Sequence, residues 1–186
     1  MRRWRGTINV PPTTAGLAKA AILSDRLRLP IIYTDHLDRC RRTAQHLYPG
    51  VTGVDDGCGP WHMGPEFEGQ EITPVSLAKA QFYSSQAQFV APDGGESFFA
   101  WSTRWTEFID DLDRPSLPTG VVTHNRNIQY LYSRHNGRFY PKLYDVTGPD
   151  FLSVHVYQDG YIAPWDGRTM VNCLYLIRHA NTSWGT

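Results

Sequence analysis

Three short loops, each following an apolar strand-like segment, carry the residues with the clearest capacity for chemistry. Arg178 and His179 follow the segment LYLI, and His124 and Asn125 follow TGVVT. The third loop, residues 35–39, follows IIYT and runs from an aspartate to an arginine. Two histidines and two arginines that met at one edge of a sheet would form a cationic pocket suited to a phosphate dianion.

The segments around these loops alternate between strand-like and helix-like patterns. Strands are predicted for 31–34, 119–123, 151–157 and 171–178, and helices for 13–29, 38–48, 76–88, 96–112 and 127–134. Residues 50–74 are predicted to be a loop. This alternation predicts an α/β fold, a three-layer α/β/α sandwich with a mostly parallel sheet, and in such sheets ligands bind at the carboxyl ends of the strands.

Composition favours one ordinary globular domain spanning residues 1–186. Eighteen basic residues balance eighteen acidic ones, which argues against a nucleic-acid binder driven by overall charge. No apolar run is long enough to span a bilayer, so no membrane partner is expected. Cys40, Cys58 and Cys173 lack the spacing of a zinc site or a disulfide framework, which predicts a reducing, cytoplasmic setting.

Five segments resemble motifs of one known family. LYLIRHANTSW is similar to the L-x-R-H-G-E-T-x-W signature of the histidine phosphatase superfamily, also called phosphoglycerate mutase-like. The other four, in family order, are TDHLDRCRRTAQHL, WHMGPEFEGQ, GGESFFAWSTRW and GVVTHNRNIQ. The signature opens the chain in that family and closes it here, and the family pattern continues from Thr186 into Met1 without a gap. The resemblance therefore implies a circularly permuted phosphoglycerate mutase-like fold.

The resemblance also implies a set of site residues. Catalytic roles in a two-step transfer through a phosphohistidine fall on His179 as nucleophile and on Arg178, Arg39 and His124 around the phosphoryl group. Substrate-binding roles fall on Arg3, Thr182 and Asn125. Because fixed cations would stabilise the transferring group, neither a cofactor nor a metal is expected.

One part of the family pattern is missing. The family's acidic proton donor, a glutamate upstream of the Glu-Gly pair, falls near Pro60 and Trp61, where the chain has no carboxylate. Asp55, Asp56 and Glu66 lie close by in sequence, and each is a candidate to replace it. Proton donation to the leaving group is therefore the open step of the mechanism.

These observations predict a phosphomonoester hydrolase that acts on a small phosphorylated metabolite. A phosphoglycerate mutase-type phosphotransferase is an alternative, although 186 residues leave little room for the insertions that enclose a mutase substrate. A catalytically weak or inactive phosphate-binding protein is a further alternative, which the missing glutamate favours. The intact set of two histidines and two arginines favours an enzyme.

Overall fold

The fold was analysed on a computed structural model, which describes residues 3–48, 50, 53–85, 89–113, 115–135, 149–168, 170 and 172–183. The described residues form five α-helices: α1 (Thr14–Ser24), α2 (Asp38–Leu47), α3 (Pro74–Ser84), α4 (Phe98–Leu112) and α5 (Asn125–His135). They also form six strands: β1 (Ile31–Thr34), β2 (Gly53–Val54), β3 (Thr119–Thr123), β4 (Val154–Gln158), β5 (Tyr161–Pro164) and β6 (Leu174–Arg178). A single 3₁₀ turn spans Asp56–Cys58.

The six strands form one sheet in the order β2-β1-β3-β6-β4-β5. Strands β2, β1, β3 and β6 are parallel to one another, whereas β4 is antiparallel to both β6 and β5. The predicted mostly parallel α/β sheet is thus confirmed. Strand β6, the last of the described strands in sequence, lies in the interior of the sheet, between β3 and β4.

Helices cover both faces of this sheet. Neighbouring residues of β3 and β6 point to opposite faces, so each face has its own apolar core. Val121 and Leu176 belong to one core, which includes buried residues of α3, α4 and α5. Val122 and Ile177 belong to a second core, which includes buried residues of α2. Helix α1 packs beside α2. The arrangement confirms the predicted three layers.

Side-chain caps fix where three of the helices begin. The hydroxyl of Thr13 accepts a hydrogen bond from the amide of Gly16 at the start of α1, and Ser97 serves α4 in the same way. Thr73 and Ser76 form a reciprocal capping box at the start of α3. Each cap satisfies amides that have no partner within the helix, which explains why these helices begin at threonine or serine signals.

Several predicted boundaries were wrong. Helix α1 ends at Ser24, five residues before the predicted end, and the two short strands β2 and β5 were not predicted. Strand β4 begins at Val154 instead of 151, because Leu152 adopts a positive φ of 61° that breaks an extended strand. Strand β6 begins at Leu174, after Asn172 with a φ of 61°. Val171, the predicted first residue of that strand, lies outside the described residues.

Among the described residues, no helix combines the length and the apolar character needed to cross a bilayer.

Candidate active site

The parallel register brings three predicted loops to one edge of the sheet. Thr34 on β1 is paired with Val122 on β3, and Thr123 is paired with Arg178 on β6. Asp35, His124 and His179 therefore follow their strands at the same edge. A hydrogen bond of 3.1 Å from the amide of His179 to the carbonyl of Thr123 fixes the last of these strand ends.

His179 has the environment of a nucleophile. Its side chain is buried, and Nδ1–H donates to the carbonyl oxygen of Ala180 at 2.7 Å. This bond places the proton on Nδ1 and leaves the Nε2 lone pair available. Burial, with the nearby Arg39 and His124, holds the pKa of His179 well below its usual range, so the ring is neutral at pH 7.

His124 faces both His179 and a buried carboxylate. The two imidazole centroids are 5.3 Å apart, and Nε2 of His124 lies 2.5 Å from Oδ2 of Asp35. Burial lowers the pKa of His124 to about 4, although the charge of Asp35 opposes this shift. Burial opposes ionisation of Asp35 as well, but His124 and Arg39 outweigh it, and the pKa of Asp35 lies below its usual value. The pair at neutral pH is therefore a neutral imidazole and a carboxylate.

Arg39 is held in the first turn of α2, with its side chain almost fully buried. Its Nε lies 3.4 Å from Nδ1 of His124, and its terminal nitrogens donate to the carbonyls of Gly6 at 2.5 Å and Ile8 at 2.7 Å. One turn along α2, the hydroxyl of Thr43 accepts the amide of Ala180 at 3.0 Å. Helix α2 thus supplies a buried guanidinium and also anchors the loop that carries the nucleophile.

Arg178 lies beside the pocket, against the ring of Phe151. Its Cζ is 3.9 Å from the ring centroid of Phe151, and its guanidinium donates to the carbonyl of Pro149. The Phe151 ring is in turn 5.7 Å from the His179 ring. Arg5 approaches the same ring from another direction, with its Cζ 5.4 Å from the centroid. Two guanidinium groups therefore flank the aromatic ring next to the nucleophile.

A family model matches most of the chain. The model of the histidine phosphatase superfamily (branch 1) matches residues 1–158, which include Arg39 and His124. The chain belongs to the histidine phosphatase superfamily. The matched range ends before β6, the strand that ends at Arg178, directly before His179. A search of curated proteins found no match.

Solved structures of histidine phosphatase-like proteins show the same fold. A mycobacterial glucosyl-3-phosphoglycerate phosphatase, solved with inorganic phosphate, is 19% identical, with a TM-score of 0.64 over 99% of this chain and 93% of that one. The α-ribazole phosphatase of Shigella flexneri is 18% identical, with a TM-score of 0.67 over 92% and 88% of the two chains. Bacillus stearothermophilus YhfR is 23% identical, with a TM-score of 0.71 over 91% and 90%.

The predicted substrate-binding residues of this superfamily member lie in different environments. Thr182 is fully buried and pairs with Pro12, and no described residue offers its hydroxyl a hydrogen-bond partner. The side-chain amide of Asn125 donates to Gln129 at 3.0 Å. Arg3 is exposed and donates to the carbonyl of Gly69 at 2.7 Å. The structure therefore brings Thr182 and Asn125 to the strand ends, and it places Arg3 on the surface against the segment after residue 68.

The three candidate proton donors have other partners. The carboxylate of Asp55 accepts a hydrogen bond of 2.7 Å from the amide of Gly57 and so caps the start of the 3₁₀ turn. Asp56 is exposed and lies 2.5 Å from Nδ1 of His36, and Glu66 forms an ion pair with Lys79. Each hydrogen bond is made at the surface. Their assignment as proton donors stays a prediction.

One group of described side chains has the donor atoms for a metal ion. Asp35, Cys40 and His124 each place one donor atom within 4.8 Å of the others. Burial raises the pKa of the Cys40 thiol well above its usual value, and the 2.5 Å contact between His124 and Asp35 is a hydrogen-bond distance. Because the Cys40 thiol is neutral and His124 is already hydrogen-bonded to Asp35, these residues fit a histidine–aspartate pair better than a metal site.

Sequence reasoning gave no role to Asp35, Arg5 or Phe151. Asp35 follows its strand directly, as His124 and His179 do, and this position was a usable signal. Phe151 was predicted to lie in a strand, and Arg5 lies within a cluster of basic residues without a distinguishing pattern. Both approach the site through loops whose course depends on tertiary packing.

Proposed function

We propose that this protein hydrolyses phosphomonoesters through a phosphohistidine intermediate. The observation that carries the proposal is the state of His179: a buried, neutral imidazole with Nδ1–H bound to a carbonyl and with Nε2 available for attack. Arg39 and His124 lie beside it, and Arg178 lies at its border. A nucleophile surrounded by fixed donors suits a reaction whose charge spreads over the phosphoryl oxygens.

In the first step, Nε2 of His179 attacks phosphorus and the bond to the leaving oxygen breaks. Arg39 and Arg178 stabilise the phosphoryl oxygens, and the hydroxyl of buried Thr182 is available to one of them. In the second step, water attacks the phosphohistidine and releases inorganic phosphate. These groups supply the positive charge that a metal ion provides in other phosphoryl-transfer enzymes, so we expect the reaction to need no metal.

The proposed substrate class is a small phosphorylated metabolite. Two solved structures with the same fold are named as a glucosyl-3-phosphoglycerate phosphatase and an α-ribazole phosphatase, and these names support this class. Three free buried cysteines fit a reducing compartment, and we propose a cytoplasmic setting. The exposed guanidinium of Arg3 would then bind the part of the substrate furthest from phosphorus.

The direct test is hydrolysis of an activated aryl phosphate, with and without EDTA, combined with trapping of acid-labile phosphate on the protein. We expect turnover in both conditions and phosphate on His179. Phosphate binding without turnover would instead support the alternative of a phosphate-binding protein, which the surface positions of Asp55, Asp56 and Glu66 favour.

We also propose that the chain is a circular permutant of its family. Two features support this: β6 follows the other described strands in sequence but occupies the interior of the sheet, and the loop after it packs onto the start of α1. There, the amide of Thr13 donates to the carbonyl of Asn181 at 2.8 Å. Met1 and Thr186, which the permutation would make neighbours, lie outside the described residues.

A rearranged chain tests the permutation. A variant that begins at Met170 and continues from Thr186 directly into Met1 should fold and keep the pocket, because the join would restore the chain order of the family. We expect its thermal unfolding and its aryl phosphatase activity to match or exceed those of the native order. A rearranged chain that failed to fold would contradict the permutation.

A further inference from the structure

Asp35 is a buried carboxylate that neither the sequence motifs nor the two steps above assign to a task. Its side chain has no solvent exposure, and Oδ1 accepts the amide of Leu37 at 3.1 Å. Oδ2 faces Nε2 of His124 at 2.5 Å. A carboxylate is costly to bury unless a partner compensates its charge, which makes the identity of that partner informative.

The contacts of His124 determine where its proton lies. Nε2 points to Asp35, and Nδ1 points to Nε of Arg39 at 3.4 Å. Because arginine only donates, Nδ1 carries a lone pair in the free protein and Nε2–H donates to Asp35. The edge of the ring that can gain or lose a proton is thus Nδ1, on the side of Arg39.

We infer that Asp35 is a positioning residue that makes His124 the proton donor to the leaving group. The inference rests on the proposed phosphohistidine function and supplies the step for which the family's glutamate is missing. Asp35 fixes the ring and its tautomer and stabilises the imidazolium that forms when Nδ1 gains a proton, while Nδ1–H delivers that proton to the leaving oxygen.

The first step then balances. Nε2 of His179 forms a bond to phosphorus, and the bond between phosphorus and the leaving oxygen breaks with its electron pair on that oxygen. The oxygen takes the proton from Nδ1 of His124 and departs as an alcohol. His124 is left neutral, with Nε2–H still bound to Asp35.

The second step restores the starting state. Water attacks the phosphohistidine, and Nδ1 of His124 accepts one of its protons. The electron pair of the phosphorus–nitrogen bond returns to Nε2 of His179, and the other water proton leaves with inorganic phosphate. Because free His124 is neutral, Nδ1 then gives its added proton to the departing phosphate, which leaves as the monoanion with both water protons, and no further reactant is needed.

Charged groups on three sides of His124 set the pH dependence. Asp35 follows β1, and Arg39 and the Cys40 thiol belong to α2. Arg178 ends β6, and His179 follows it. Burial holds the pKa of free His124 at about 4, so the proton must enter with the substrate. A phosphate monoester carries such a proton below its second pKa of about 6. Alkyl phosphate hydrolysis should therefore decline as the pH rises above about 6.

The test compares an alkyl phosphate with p-nitrophenyl phosphate in Asp35→Asn. An alkoxide needs a proton to leave, whereas a nitrophenolate does not. We expect kcat/KM for the alkyl substrate to fall by ~10²–10⁴-fold, and that for the aryl substrate to fall far less. The ratio of the two constants does not depend on the folded fraction, so it reports the role even where the variant is less stable.

Two comparisons separate a positioning role from a structural one. Glu68→Gln removes another largely buried carboxylate, which accepts from Thr7 and from the amide of Met63, and should leave the alkyl-to-aryl ratio unchanged. In a His124→Gln background, Asp35→Asn should change that ratio no further, because Asp35 acts through His124.

The outcomes distinguish a failure of the role inferred for Asp35 from a failure of the proposed phosphohistidine function. An unchanged ratio in Asp35→Asn, with aryl turnover and the phosphohistidine intact, would overturn the inference alone. A selective alkyl loss in Asp55→Asn, Asp56→Asn or Glu66→Gln that Asp35→Asn does not share would also overturn it and identify the surface acid. A wild-type protein that hydrolyses neither substrate would overturn both proposals.

Discussion

The pocket at the sheet edge and the rim around it contrast in how their charges are held. In the pocket, Asp35, Arg39 and His124 are buried, and their polar atoms are bound to one another or to backbone groups. On the rim, Arg3 and Asp56 are exposed; the guanidinium of Arg3 donates to the carbonyl of Gly69, and the carboxylate of Asp56 contacts His36. Fixed groups in a site without water act far more strongly on a reacting charge than mobile, solvated ones. The difference predicts where a substitution changes the rate and where it changes binding.

The largest effect is expected at the nucleophile. His179→Ala removes the atom that bonds to phosphorus, and loss of a covalent nucleophile typically costs several powers of ten. Aryl phosphate hydrolysis should fall to less than about a thousandth of wild type, and no acid-labile phosphate should be trapped. Thermal unfolding checks that the variant is folded. More than a tenth of wild-type activity would remove His179 from this role.

A smaller but still large effect is expected at Arg39. Arg39→Lys keeps a positive charge but loses the planar set of donors that serves Gly6, Ile8 and the phosphoryl group together. We expect kcat to fall by ~10²–10³-fold, as for the loss of one fixed donor. Steady-state kinetics on the aryl substrate measure it. A change in KM alone would show that Arg39 contributes to substrate binding, as expected of the rim residues, and not to the chemical step.

Arg3, on the rim, provides the matched comparison with Arg39 in the pocket. Arg3→Ala removes an exposed guanidinium that contacts the carbonyl of Gly69. A cation that binds the distal part of the substrate contributes equally to the ground state and the transition state. We therefore expect KM to rise less than about tenfold while kcat is unchanged. A fall in kcat comparable to that of Arg39→Lys would show that the pocket extends to this surface.

The pocket and the rim also differ in how far they could be predicted from sequence. Strands β1 and β3 were predicted to the residue, since each is a short apolar run bounded by proline, glycine or a polar loop, and the sheet edge followed from them. His124, Arg39 and His179 were found because they follow those strands or match a family motif. The partner of His124 was not found, because a contact between residues 35 and 124 depends on strand order and not on local pattern.

The same limit applies to the loops. The turn at Leu152 interrupts an apolar run that was predicted to be a continuous strand, and it brings Phe151 against Arg178 and His179. Nothing in the local sequence distinguishes this turn from a strand, because the backbone is fixed there by Leu152 N–H binding the carbonyl of Arg178. Tertiary hydrogen bonds of this kind decide loop course, and sequence periodicity does not record them.

The smallest effect on activity is expected at His155, a third buried histidine, which lies on β4 away from the nucleophile loop. It contacts the hydroxyls of Tyr132 at 2.8 Å and Ser153 at 2.9 Å, and burial lowers its pKa to about 4. His155 is neutral when folded but becomes protonated when unfolded, with an unfolded pKa of about 6.5. Its contribution to stability is therefore present above pH 6.5 and is lost as the pH falls towards 4, by about 2 kcal/mol at pH 5.

His155→Gln tests this and also sharpens the contrast with the pocket. The free energy of unfolding, measured in urea at pH 7 and pH 5, should fall less on acidification in the variant than in wild type, by about 2 kcal/mol. His124 and His179 also have lowered pKa values, so part of the acid destabilisation should persist in the variant. The kcat at pH 7 should be unchanged, since burial alone, without a contact to the reacting group, gives a histidine an effect on stability and none on rate. A loss of kcat would instead connect the Tyr132–His155–Ser153 chain to the loop that positions Phe151 and Arg178.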